Sequence, residues 1–247
     1  MVIDMHAHLW LGLHEKDRKT ILRAIELYDI SRVYISALGA ETPDKDEVVA
    51  LNREASRFIN DYPDRIGGFV YVSPEHDNAV DVVRRGIEEQ GFDGVKLWVS
   101  TFCNDECVFP VVEAAMSYNA PILLHAFKKA DGQCTYETTA IHVADLARRY
   151  PEAKFIMAHL GGCCYDAIPQ IREFKNVYTD ISGSIYRAAD VDYTVRELGA
   201  ERVLFGTDMP GSYLVNYGQV LDANLTEDAR ELIFSGNALK LFEGVTR

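Results

Sequence analysis

VIDMHAHL, residues 2–9, is a short apolar run that carries an aspartate and two histidines at alternate positions. Side chains alternate between the faces of a β-strand, so Asp4, His6 and His8 are expected on one side and Ile3, Met5 and Ala7 on the other. Seven further runs of the same kind follow: RVYISAL (32–38), IGGFVYV (66–72), GVKLWV (94–99), PILLHAF (121–127), KFIMAH (154–159), NVYTDIS (176–182) and RVLFGTD (202–208). Longer amphipathic stretches separate them. Residues 44–62 set Val48, Leu51, Ala55, Phe58 and Tyr62 at helical spacing, behind a start where Asp44 can cap and Glu47 can reach back. Thr226 is the expected N-cap of the last helix, which ends near residue 243, with Glu227 and Asp228 well placed against the helix dipole. Strands alternating with helices imply parallel strands joined by right-handed crossovers. Eight such units close an α/β (β/α)8 TIM barrel, expected as a single domain over 1–247 with no appended β-sandwich. An open doubly wound sheet would carry a Gly-rich phosphate loop after its first strand, where this chain has His8, Leu9 and Trp10.

The composition narrows the function classes. With 247 residues, 48% hydrophobic and 26% charged, the chain reads as one large globular domain. A net charge of −13 and the lack of any basic run argue against nucleic acid as a partner. No leader-like or membrane-spanning stretch is visible, so a cytoplasmic protein with no membrane partner is expected. The five cysteines include the adjacent pair Cys163 and Cys164 but no paired C-x-x-C spacing, and reduced thiols are the expected state. Nothing next to Cys163 in sequence would activate it as a nucleophile.

In such a barrel the chemistry sits at the C-terminal ends of the strands. The polar residues there are His6 and His8, Lys96, His125, His159, Asp180 and Asp208. By strand parity His159 shares a face with Met157 and Phe155, and Asp208 with Gly206 and Leu204. Three imidazoles and a carboxylate on one rim suit zinc, with room for a water. His14, His76 and His142 fall in expected loops or helices and are read as surface residues.

The stretches IDMHAHL, GFDGVKLW, PILLHA, FIMAHLGG, NVYTDISG, RVLFGTDMP and FSGNALKLF, in this order over almost the whole length, resemble amidohydrolase family 2 of the amidohydrolase superfamily. That branch includes the aminocarboxymuconate semialdehyde decarboxylase-like enzymes. The resemblance implies His6, His8 and His125 as zinc ligands and Asp208 as a ligand or the acid–base residue beside the metal. His159 would orient the attacking water or polarise the substrate, and Asp4 would support a ligand histidine. After His125 the chain departs from many relatives, with Phe127, Lys128 and Lys129 where they have a small residue and glycine. Metal-dependent nucleases that share the first motif carry a glutamate where this chain has Lys96. Lys96 is read as an unmodified lysine that binds an anionic substrate beside Trp98; a structural ion pair and a carboxylated, metal-bridging lysine are the alternatives.

The first expectation is therefore a metal-dependent hydrolase that turns an activated water on an amide, lactone or ester, with Asp208 as acid–base and His159 as polarising group. The cofactor would be one divalent ion, Zn2+ or alternatively Mn2+. The first alternative is a metal-dependent decarboxylase for a small aromatic or unsaturated acid, to which Trp10, Trp98, Lys96, Lys128 and Lys129 would contribute; a non-catalytic metal-binding barrel is the second. Specificity is expected in loops 99–108, 127–137 and 209–225. The partner is a small, anionic molecule, and a homo-oligomer is compatible with everything above.

Overall fold

All eight apolar runs form strands: β1 (Ile3–Trp10), β2 (Arg32–Leu38), β3 (Ile66–Tyr71), β4 (Gly94–Leu97), β5 (Ile122–Leu124), β6 (Phe155–Met157), β7 (Val177–Asp180) and β8 (Val203–Leu204). This is a computed structural model, and it describes residues 1–183, 186–187, 189–208 and 213–246. Met209 and Pro210 of the motif after β8, and the first four positions of loop 209–225, lie outside the described residues. The strands are parallel and neighbour one another in sequence order from β1 to β8. Backbone bonds from Met5 N to Phe205 O (2.9 Å) and from Thr207 N to His6 O (3.1 Å) bring the last strand back to the first. The expected single-domain (β/α)8 TIM barrel is the observed fold.

Helices fill the crossovers: α1 (His14–Tyr28), α2 (Lys45–Asp61), α3 (Ala79–Glu89), α4 (Phe109–Ser117), α5 (Ala140–Arg149), α6 (Cys164–Ile171), α7 (Asp190–Leu198) and α8 (Tyr213–Asp222). The last helical stretch is α9 (Glu227–Glu231), a π turn (Leu232–Gly236) and α10 (Asn237–Phe242). Asp44 caps α2 by accepting from Glu47 N at 2.8 Å. Glu47, however, does not reach back to that cap: its Oε1 takes the Ala40 N–H at 2.7 Å and ties down the loop after β2 instead. Thr226 caps α9 through Ala229 N. Among the described residues, no helix is long and apolar enough to cross a membrane.

Two apolar layers follow from the strand period. Met5, Tyr34, Phe69, Leu123, Ile156 and Leu204, one from each of six strands, pack together inside the barrel, and Leu241 and Phe242 of α10 close its lower end. The larger cluster lies between the strands and the helices. Near the site, simple parity fails twice. Asp4 pairs with Val33 and Ala7 with Ile35, so β1 carries one extra residue between them. This bulge turns Asp4 outward, beside Ala7, Ile21 and Tyr213, and away from the face that His6 and His8 share. In β6, Phe155 and Met157 face the helices rather than sharing a face with His159. His159 comes back to the barrel mouth because its backbone is left-handed (φ 60°) just past the strand.

Candidate active site

The strands that approach the mouth differ in length. β1 and β2 have 8 and 7 residues, β5 and β6 only 3 each and β8 only 2. His6 and His8 therefore stand on a hydrogen-bonded wall, whereas His125, His159 and Asp208 lie just beyond their ladders. His159 and Asp208 are both non-glycine residues with positive φ, 60° and 67°. Histidine and aspartate are among the residue types that tolerate this region best.

His6 is held from behind. Its Nδ1 lies 2.9 Å from Asp180 Oδ2 and 3.0 Å from Ser182 Oγ. His8 Nδ1 lies 2.9 Å from Ser36 Oγ and 3.3 Å from the Ser36 carbonyl oxygen. A carboxylate and a carbonyl only accept, so this network assigns the ring proton to Nδ1 in both histidines and leaves a lone pair on each Nε2. Those two Nε2 atoms are 3.0 Å apart. Asp208 Oδ1 joins them at 3.5 Å from His6 and 3.2 Å from His8. Three acceptors thus converge on one point. Burial lowers the pKa of both rings, that of His6 to about 3, which keeps them neutral, as metal ligands must be. Against its burial, the neighbouring His159, His8 and His6 hold the Asp208 carboxyl well below the usual range. The nearest donor, Lys96 Nζ at 3.3 Å from His6 Nε2, can serve one of these acceptors and leaves the others for a cation. The donor set fits a divalent metal.

A second cluster, His6, His159 and Asp180, is joined through Ser182. The Ser182 hydroxyl meets His159 Nδ1 at 2.9 Å and bonds Asp180 Oδ1, which also accepts the His159 N–H at 3.0 Å. These side chains hold one another and hold the two rings. Asp4, expected to support a ligand ring, instead accepts from backbone N–H groups of His6 and Thr207 (both 3.1 Å) and from Thr207 Oγ1 (2.7 Å). It fastens β1 to the end of β8, and the ring of His6 is oriented by Asp180.

His125 lies apart from the three convergent acceptors. Its Nδ1 is 3.3 Å from His159 Nε2, and its Nε2 is 2.9 Å from Glu137 Oε1. His159 Nε2 is in turn 4.0 Å from Asp208 Oδ1. Glu137, absent from the sequence expectations, is buried in the loop between β5 and α5, where its Oε2 also takes Lys129 Nζ at 2.8 Å and Cys134 N at 3.0 Å. Burial alone would raise its carboxyl, but the bonds from His125 and Lys129 bring it down to about 2.

A cavity of about 250 Å³ opens over this floor. Trp10, Trp98 and Phe127 wall it, with the two indoles edge to face at 5.9 Å and Phe127 nearly parallel to His125 at 6.3 Å. Lys129 and Cys134 stand at its side. Lys96 is completely buried, with its Nζ on the Nε2 side of His6, and is not among the lining side chains; burial pulls its pKa down to about 8 against the pull of Asp208 and Asp180. Lys128 points to Asp166 on the surface. All five cysteines are free thiols.

Among solved structures, 2,6-dihydroxybenzoate decarboxylase from Rhizobium is similar over 98% of each chain, with a TM-score of 0.80 and 18% identity. 5-Carboxyvanillate decarboxylase from Sphingomonas paucimobilis matches over 99% of each chain, with a TM-score of 0.79 and 14% identity. A dihydroxybenzoic acid decarboxylase from Polaromonas, solved with manganese and the inhibitor 2-nitroresorcinol, matches over 98% of this chain and 96% of its own, with a TM-score of 0.75 and 20% identity. At these identities the likeness establishes the fold. No curated protein matches the chain significantly. The amidohydrolase family profile matches residues 3–244, nearly the whole length, and the chain belongs to that family of enzymes.

Proposed function

We propose that this chain is a metal-dependent decarboxylase acting on a small aromatic or unsaturated carboxylic acid. The observation that carries the reading is the aromatic slot of Trp10, Trp98 and Phe127, which opens directly onto the floor of imidazoles and the Asp208 carboxylate. Aromatic side chains lining the cavity suit contact with the face of an aromatic or unsaturated acid. The decarboxylases of similar fold act on such acids, which supports the same direction. Hydrolysis, the first expectation from the sequence, draws its support from family membership alone.

His6, His8 and Asp208 would hold one divalent cation, zinc or manganese, with His125 the further ligand implied by the resemblance. When bound, the cation supplies a positive charge that draws in a substrate carboxylate and polarises a neighbouring oxygen. The indoles of Trp10 and Trp98 hold the substrate plane and exclude water from one face. Asp208 starts ionised, so it first takes a proton from a substrate hydroxyl or a water and then gives it to the carbon that bears the carboxylate. The new C–H bond forms from the unsaturated system; the C–C bond then breaks, its electron pair restores that system, and CO2 leaves. His159, 4.0 Å from Asp208, orients the donor. Lys96 adds a positive charge beside His6 Nε2. Five free thiols agree with a cytoplasmic location.

The test is product analysis on zinc- or manganese-loaded protein with a panel of hydroxybenzoates and unsaturated acids, beside a panel of lactones, esters and amides. CO2 release with loss of the acid supports the proposal. Turnover confined to the second panel overturns it in favour of a hydrolase, and a metal-loaded protein inert to both is a binding barrel.

A further inference from the structure

Glu137 is a buried carboxylate in a loop whose preceding residues, 131–136, are exposed apart from half-buried Cys134. Burying an ion costs several kcal/mol before its partners repay it, and an apolar side chain of similar volume can fill such a place as well or better. Packing therefore does not account for it. Oε1 faces His125 Nε2 at 2.9 Å, while Oε2 takes Lys129 Nζ at 2.8 Å and the Cys134 N–H at 3.0 Å. The same loop is fastened at its base by Phe127 N to Thr138 O and Lys128 N to Gly161 O.

A carboxylate only accepts, so the ring nitrogen that faces it must carry the proton. His125 then has its lone pair on Nδ1, the atom 3.3 Å from His159 Nε2. An apolar residue at 137 would leave the ring free to turn over or to carry its proton on the other nitrogen. We propose that Glu137 is a positioning residue that fixes His125 as the Nε2–H tautomer, so that His125 meets the metal and substrate side through Nδ1. Lys129 and Cys134 tie this orientation to the loop between β5 and α5. The inference rests on reading this cavity as an active site and adds to it the residue that decides which nitrogen of His125 is offered there.

The test is a long-range ¹H–¹⁵N correlation spectrum of the imidazoles in ¹⁵N-labelled, zinc-loaded protein, with His125 assigned from its absence in His125→Gln. The expected result is a proton on Nε2 of His125 in the wild type and its redistribution in Glu137→Ala, with zinc affinity lowered roughly 10- to 100-fold. Glu137→Gln, whose amide oxygen still accepts, is expected to restore the wild-type tautomer. A proton on Nδ1 in the wild type overturns the proposal, and this measurement needs no variant at position 137. An unchanged tautomer in a folded Glu137→Ala overturns it as well. The tautomer is read without turnover, so a failure here and a failure of CO2 release are separate results.

Discussion

His6 and Asp180 form a fully buried pair, with Nδ1 and Oδ2 2.9 Å apart, and this contact sets the chemistry of the other side of the ring. Because Asp180 accepts the hydrogen bond from Nδ1–H, Nε2 of His6 is a bare lone pair aimed at His8 Nε2 and Asp208 Oδ1. Asp180→Asn keeps the shape but can present an amide N–H to the ring and reverse the tautomer. Zinc affinity measured by equilibrium dialysis is expected to fall roughly 10- to 100-fold, with the circular dichroism spectrum unchanged.

Elemental analysis of protein purified without added metal or chelating resin is expected to give near one equivalent of zinc or manganese. His6→Ala and Asp208→Ala should each lose it. Two equivalents would point to a carboxylated, bridging Lys96 in place of the ammonium beside His6 Nε2.

Trp98 walls the cavity beside Trp10. Trp98→Ala should raise KM for an aromatic acid on the order of 10-fold, equivalent to about 1.4 kcal/mol, and change kcat less. Asp208→Asn should do the reverse, lowering kcat by roughly 10²–10⁴ through loss of the proton carrier. Steady-state kinetics on the same substrate separates the two.

Gly162 brings the loops after β5 and β6 into contact. Its φ is +79°, and a Cβ there would stand 2.6 Å from Lys128 N. Gly162→Ala should cost about 1–3 kcal/mol and lower Tm by several degrees. Gly132→Ala, with φ +71° and open space around it, serves as the control and should cost less.

The pH dependence of stability carries the mark of Glu137. Its carboxyl drops from an ordinary value of 4.5 to about 2 in the folded protein. A folded-state value below the unfolded one means stabilisation that is present above about pH 4.5 and lost as the pH falls towards 2. The difference in urea midpoint between wild type and Glu137→Gln should therefore be full at pH 6 and narrow progressively below pH 4.5. A difference that stays constant over this range would show that the carboxylate charge adds nothing.

The barrel was legible because a period of two recurs in eight apolar runs, with helical periods between them. The convergence of His6, His8 and Asp208 was legible too, since strand ends in such a barrel meet at one rim. Parity misled at Asp4, because a bulge adds one residue without a mark in composition, and at His159, whose left-handed backbone lies past the point where alternation holds. The role of Asp180 follows from its place at the end of β7, but its partner could not be read from spacing across 174 positions. Glu137 was not legible at all. Its burial depends on the path of an irregular loop, and in sequence it is one acid among 38 acidic residues.

The unequal strands also differ in how firmly they hold what they carry. His6 and His8 stand on the 8-residue β1, paired to the 7-residue β2, while His125, His159 and Asp208 hang from ends where β5, β6 and β8 have already stopped. A change in the length of the loop after β5, β6 or β8 would shift His125, His159 or Asp208 against a fixed pair of imidazoles, so the site is adjustable on one side and rigid on the other.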